Sequence, residues 1–286
     1  MRHRLLFQGL LVLALAALPT APLCGQELRA TPPVSTIPFE LRSDFLVVVT
    51  GQIGHLEGLK FIVDTGASYT VIDRKVSDLL HLQRRPGKIT NFDRDTMVER
   101  AEVTDLRIGP LQAGTFPVLV ARLADYSEFA EGLDGIIGLD LLARSERLFI
   151  DYERQVITWE FASGLKKGSA APTCLVVPFS VQGAHFRLAL DTGLQGILLY
   201  KDRLRESLPQ LRLPLESIKV NFGRVQTTQL ELPGVRLLGP ETSRTVFLMD
   251  RPASGDPPGV DGYLGIATLN AKRVEFDFAA NIIRWQ

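Results

Sequence analysis

Cysteine is nearly missing from this chain, and with it the usual means of stapling an exported fold. Cys24 and Cys174 are the only two among 286 residues, and Cys24 lies in an N-terminal segment with the build of a removable leader. If that segment leaves, Cys174 has no intramolecular partner, so the cores alone must stabilise the protein. No histidine or basic residue adjoins Cys174 in sequence, and it reads as a buried structural thiol rather than a nucleophile. Net charge is missing too: 32 basic residues cancel 32 acidic ones, which gives nucleic acid or an anionic membrane surface no attractive field. His55, His81 and His185 are isolated and lack metal-ligand spacing, so no metal is expected. There is no Gly-x-Ser-x-Gly, and Ser68 has no evident base near it in sequence. The glycines between Gly51 and Gly58 precede no Lys-Ser/Thr and open no helix, so a hairpin turn is expected there rather than a phosphate loop.

Long apolar runs are scarce as well. The one candidate, Leu5 to Leu18, follows Arg2 and Arg4 and is broken by Pro19. At about 14 residues it is too short to span a bilayer comfortably. Residues 1–25 therefore read as a secretory signal peptide, with retention as an uncleaved anchor the alternative. Leu23 stands where lipid attachment at Cys24 would want a small residue. The expectation is an exported chain, periplasmic or secreted, without stable membrane insertion. Residues 26–38, rich in Pro, Thr and Ala, read as a flexible lead-in.

What the chain does have is a repeat. Phe61-Ile62-Val63-Asp64-Thr65-Gly66-Ala67-Ser68 returns as Leu188-Ala189-Leu190-Asp191-Thr192-Gly193-Leu194-Gln195, an offset of 127 residues. Asp134-Gly135-Ile136-Ile137-Gly138-Leu139 returns at the same offset as Asp261-Gly262-Tyr263-Leu264-Gly265-Ile266. Phe149 to Tyr152 and Val156 to Trp159 answer to Glu275 to Phe278 and Ile282 to Trp285 at an offset of 126, which puts the only two tryptophans at matching positions. A period this long is a duplicated domain, not a solenoid. The lobes are expected at 39–162 and 173–286, joined by a Gly-, Ser- and Lys-containing linker at 163–172.

Frequent Val, Ile, Leu and Phe interrupted by Gly and Pro point to many short strands, an all-β fold with short helices. Helical spacing of Val76, Leu79 and Leu80 predicts a helix within Arg74 to Leu82, matched by Lys201 to Leu208. Further short helices are expected at Leu139 to Glu146 and Ile266 to Lys272. Hairpins are expected at Ile89 to Val103 and Ile218 to Leu232, with Phe92 a candidate tip residue. Asp134 and Asp261, each before Gly, read as turn formers.

Two Asp-Thr-Gly turns, each with an apolar-apolar-Gly partner at equal spacing, make the chain resemble the aspartic proteases from about Pro38 to Gln286. The Asp-Thr-Gly-Ala-Ser form and Ile136-Ile137-Gly138-Leu139-Asp140-Leu141-Leu142 are more similar to the retropepsin branch, whereas two lobes in one chain are a pepsin trait. The resemblance implies two β-barrel lobes about a pseudo-twofold axis, a monomer with an internal pseudo-dimer, and a peptide substrate. It implies a catalytic pair, Asp64 and Asp191, sharing one proton, with base and acid left open. Gly66 and Gly193 are implied as tight-turn residues, and Thr65 and Thr192 as cross-lobe hydrogen-bond partners that fix the carboxyl separation. No metal or organic cofactor is implied. Ala67 and Leu194 stand where pepsins place a hydroxyl donor, so both acids are expected to titrate higher and the optimum to be mildly acidic to near-neutral. The alternative is a weak or inactive peptide-binding module on the same fold.

Overall fold

A computed structural model describes residues 34–91, 94–125, 131–161, 174–211, 218–222, 225–237, 240–250 and 259–286. The leader, the interlobe linker at 163–172 and Phe92 lie outside the described residues.

The chain opens with β1 (Val34–Pro38), β2 (Glu40–Arg42), β3 (Leu46–Ile53), β4 (Leu56–Val63) and β5 (Val71–Asp73). After α1 (Arg74–Leu79) come β6 (Arg85–Asn91), β7 (Arg94–Ile108), β8 (Leu111–Ala121), β9 (Gly135–Ile137), α2 (Leu139–Leu142), β10 (Arg147–Asp151) and β11 (Val156–Glu160). The second half has β12 (Val176–Val181), β13 (Ala184–Asp191), β14 (Ile197–Tyr200), α3 (Lys201–Ser207), β15 (Ile218–Phe222), β16 (Val225–Arg236) and β17 (Thr242–Met249). It closes with β18 (Gly262–Gly265), a 3-10 turn (Ile266–Leu269), β19 (Arg273–Asp277) and β20 (Ile282–Trp285).

The duplication is carried by topology as well as by residues. One sheet runs β2-β3-β4-β9-β5-β8-β7-β6 and the other β12-β13-β18-β14-β17-β16-β15. Apart from β2, the two orders correspond strand for strand. In each, the strand that ends in the aspartyl turn lies parallel to the strand that ends in the partner glycine, β4 beside β9 and β13 beside β18. β9 and β14 are buried at every position. Central strands covered on both faces need such continuous apolar runs. Extra pairings of β3 with β7 and of β12 with β16 curl each sheet towards a barrel.

A third sheet, β1-β11-β10-β19-β20, ties the lobes together. β10 and β11 alternate half-buried and buried residues, the pattern of a sheet covered on one face. The β10–β19 register places Phe149 opposite Glu275, Arg147 opposite Asp277 and Asp151 opposite Arg273. Each residue is thus paired with the repeat mate of its mirror position, so the pseudo-dyad passes between Phe149 and Glu275. The ion pairs Arg147 to Asp277 (3.3 Å) and Arg273 to Asp151 (3.6 Å) are its two copies. One hydrophobic core runs through both lobes and against this sheet.

Several local expectations need correcting. Val34–Pro38 was expected within a flexible lead-in and is instead a strand, held by five residue pairs to β11. Its partner is more than 100 residues away in sequence, beyond the reach of local composition. The helices expected at Leu139 to Glu146 and Ile266 to Lys272 are single turns. The first is cut short where the amide of Glu146 donates to Glu160 and the chain re-enters the sheet, the second where Asn270 takes a left-handed conformation. In α1 Val76 is buried but Leu79 is 59% exposed, because the six residues bury only Val76 and Ser77 before the chain turns away. Cys174 is half-buried against the second lobe's smaller apolar cluster rather than fully inside. No helix among the described residues is long and apolar enough to cross a membrane.

Candidate active site

Asp64 and Asp191 each follow the last buried residues of a parallel-paired strand, and both are fully buried where the lobes meet. The turn after each strand is closed by the carboxylate itself: the amide of Gly66 donates to Oδ1 of Asp64 at 2.8 Å, and the amide of Gly193 donates to Oδ1 of Asp191 at 2.7 Å. The glycines are forced by the opposite lobe. A Cβ on Gly66 would lie 2.5 Å from Oδ2 of Asp191, and one on Gly193 would lie 2.8 Å from Oδ2 of Asp64. Each carboxyl therefore rests on the other lobe's turn, which is how two acids distant in sequence come face to face.

The threonines lock this arrangement. The Thr65 hydroxyl donates to the carbonyl of Leu190 (2.9 Å) and accepts from the amide of Thr192 (3.2 Å). The Thr192 hydroxyl donates to the carbonyl of Val63 (2.7 Å) and accepts from the amide of Thr65 (3.0 Å). Both threonines are buried, so these four bonds are shielded from water and worth more than at a surface. Behind the first turn Gly138 packs so closely that a Cβ there would lie 2.6 Å from the carbonyl oxygen of Tyr69.

The two acids are not electrostatically equal. Burial pushes Asp64 up to about 6, against hydrogen bonds from Asp191 and from the amides of Gly66 and Ala67. Burial also pushes Asp191 well above the usual carboxylate range, and the neighbouring Asp64 charge pushes it further, with only the Gly193 amide opposing. Two carboxyls in contact cannot both ionise, so the pair holds one proton, and the Ala67 amide gives Asp64 a second donor that Asp191 lacks. The sequence traced the upward shift to missing hydroxyls at Ala67 and Leu194; the larger cause is desolvation, while Leu194 turns fully into the second lobe's core. Oδ2 of each aspartate is buried and receives no donor from the rest of the described chain, apart from the shared proton.

Asp140, two residues after Gly138, is a further, half-buried acid, and the sequence reading gave it no role. It accepts from the amide of Thr70 (2.9 and 3.0 Å) and from the Thr70 hydroxyl (2.7 Å), and burial raises it to about 6. Asp134 and Asp261, read from the sequence as turn formers, instead tie distant strands: they accept the amides of Lys60 and Arg187 (2.7 and 2.8 Å), residues 74 positions away that are themselves repeat mates. His55, His81 and His185 are all exposed. Among the described residues no cluster of potential metal ligands occurs.

Residues 49–141 match the aspartyl protease family model. No curated protein matches the sequence. Among solved structures, a retropepsin-like aspartic protease from Rickettsia conorii is 18% identical, covers 46% of this chain and 94% of its own length, and superposes with a TM-score of 0.33. The family match takes in the first aspartyl turn and its glycine partner, so this part of the chain is similar to the aspartyl proteases.

Proposed function

We propose that the chain is an aspartic endopeptidase, hydrolysing peptide bonds with a water activated between Asp64 and Asp191. The observation that carries this reading is the mutual burial of the two carboxyls, each seated on the other lobe's glycine turn. Two buried acids without a neutralising cation cost several kcal/mol. A shared proton reduces that cost and leaves one base and one acid at a single pH.

Asp64, with two amide donors, is the ionised partner and takes a proton from the water. Asp191, with one amide donor, is the protonated partner and gives its proton to the substrate carbonyl oxygen. The water oxygen bonds to the carbonyl carbon and a tetrahedral diol results. Asp64 then gives its proton to the leaving nitrogen while Asp191 takes one back from a diol hydroxyl, so the carbon–nitrogen bond breaks to an amine and a carboxylic acid and the pair is left with one proton as at the start. In this reading Thr65, Gly66, Thr192 and Gly193 hold the carboxyls and take no part in proton transfer.

The same reading takes the chain as exported to the periplasm or beyond, on the charged-then-apolar segment from Arg2 to Leu18, and as a monomer whose two lobes replace a dimer. The test is incubation of the mature chain with unfolded protein substrates from about pH 4 to 7, beside Asp64→Asn and Asp191→Asn. Cleavage lost in both variants supports the endopeptidase; retained cleavage in either sinks it, and peptide binding without cleavage by the unaltered chain identifies a binding module.

A further inference from the structure

The two aspartyl loops are repeat mates, yet they are held differently. In the first lobe, residues 67–70 are gripped at three points by the turn after Gly138. The Ala67 carbonyl accepts from Leu139 (2.8 Å), the Ser68 carbonyl accepts from the Asp140 amide (3.2 Å), and Thr70 donates amide and hydroxyl to the Asp140 carboxyl. The Thr70 hydroxyl also accepts from the Gly138 amide at 3.3 Å, so the grip closes on itself. The repeat mates of Thr70 and Asp140 are Ile197 and Ala267, which can make no such contact. In the second lobe the loop runs instead through Gly196 at a φ of 102°, with Gly265 donating to the Gly196 carbonyl at 2.7 Å.

The difference reaches the carboxyls. In the gripped loop the Ala67 amide turns back onto Oδ1 of Asp64 at 3.1 Å, giving that acid a second donor. Asp191 has the Gly193 amide alone among the described donors. We propose that Asp140 is a positioning residue whose grip on Thr70 aims the Ala67 amide at Asp64 and so decides that Asp64, not Asp191, carries the negative charge of the pair. The charged group facing Asp64 is Asp191, and the one facing Asp140 is Arg144, whose guanidinium lies 4.6 Å over the Phe116 ring. The grip requires acceptor oxygens on residue 140 but not a charge, so it persists when Asp140 is protonated.

The proposal rests on the proposed peptidase pair for its consequence but not for its test. Asp64 is titrated by carboxyl carbon resonance in the resting protein, which needs no substrate, and the acid limb of peptide cleavage is followed separately. Asp140→Ala, which installs the second lobe's residue, is expected to raise the Asp64 titration by about one pH unit, since one donor to the charged form is lost. Asp140→Asn keeps the acceptor and is expected to titrate as the unaltered chain does. Thr70→Val, which is nearly isosteric, serves if Asp140→Ala does not fold and is expected to shift Asp64 upward by less. An unmoved Asp64 in both Asp140→Ala and Thr70→Val overturns the proposal. A downward shift in Asp140→Asn also overturns it, because the residue would then act through its charge. Failure of the unaltered chain to cleave any peptide would refute the peptidase reading and leave this titration standing.

Discussion

Thr65 and Thr192 exchange places across the lobe interface: each hydroxyl donates to the carbonyl just before the opposite aspartate and accepts from the opposite threonine amide. The amides and carbonyls involved belong to the same turns that bear the carboxyls. The separation of Asp64 from Asp191 is therefore set by the two threonines and hardly at all by either lobe alone.

Thr65→Val or Thr192→Val should each cost roughly 2–4 kcal/mol, because two buried backbone groups lose a partner while shape is conserved. The double variant should cost less than the sum, since all four bonds belong to one network. Urea unfolding of the singles, the double and the Thr→Ser variants measures this. Additive losses, or serine variants as unstable as valine ones, would count against the network.

Gly66→Ala tests the seating of one carboxyl on the other lobe's turn. The new methyl overlaps the Asp191 carboxyl, so the lobes must separate or the acid must rotate. Displacing a reacting group by about 1 Å costs on the order of 100-fold in rate, so kcat should fall at least that far. A variant of near-normal kcat would mean that the carboxyls are not in contact in solution.

The duplicated parts of the fold were legible in the sequence because a covalent offset reports them. Asp64 and Asp191, Gly138 and Gly265, and the strands ending in them could be aligned within the chain itself. The rest was hidden for two physical reasons. Strand β1 is held by β11, and no local pattern in Val34–Pro38 announces a partner so distant in sequence. The Asp140 grip has no counterpart in the second lobe, where the matching residues are Ile197 and Ala267, so comparing the halves gave it no signal. The offset also slips from 127 to 126 between the turns and the final hairpins, and that slip took on meaning only once Phe149 was seen opposite Glu275 at the pseudo-dyad.

Activity should depend on pH through the shared proton. In the proposed mechanism cleavage needs Asp64 ionised, so the acid limb should lie near Asp64's raised value of about 6. It needs Asp191 protonated, so the alkaline limb should lie higher, since Asp191 is pushed well above an ordinary carboxyl. A rate profile highest in mildly acidic to near-neutral buffer is expected, and a maximum near pH 2 would contradict the burial of both groups.

Stability should follow the opposite course. A carboxyl whose folded-state pKa lies above its unfolded value binds more protons when folded. Its contribution is therefore full below the unfolded value and is lost as pH rises through the folded one. For Asp140 that window runs from the ordinary 3.8 to about 6, and a shift of this size corresponds to roughly 3 kcal/mol. Asp64 and Asp191 act in the same direction. The unfolding free energy of the unaltered chain should therefore decline between about pH 4 and 7. Asp140→Asn cannot ionise but keeps an acceptor for Thr70, so its decline should be shallower, with the difference accumulating between about pH 4 and 6. Chemical unfolding at fixed ionic strength across that range measures both slopes. Parallel curves would mean that Asp140 is as well solvated when folded as when unfolded, which its enclosure by Thr70 and the turn after Gly138 argues against.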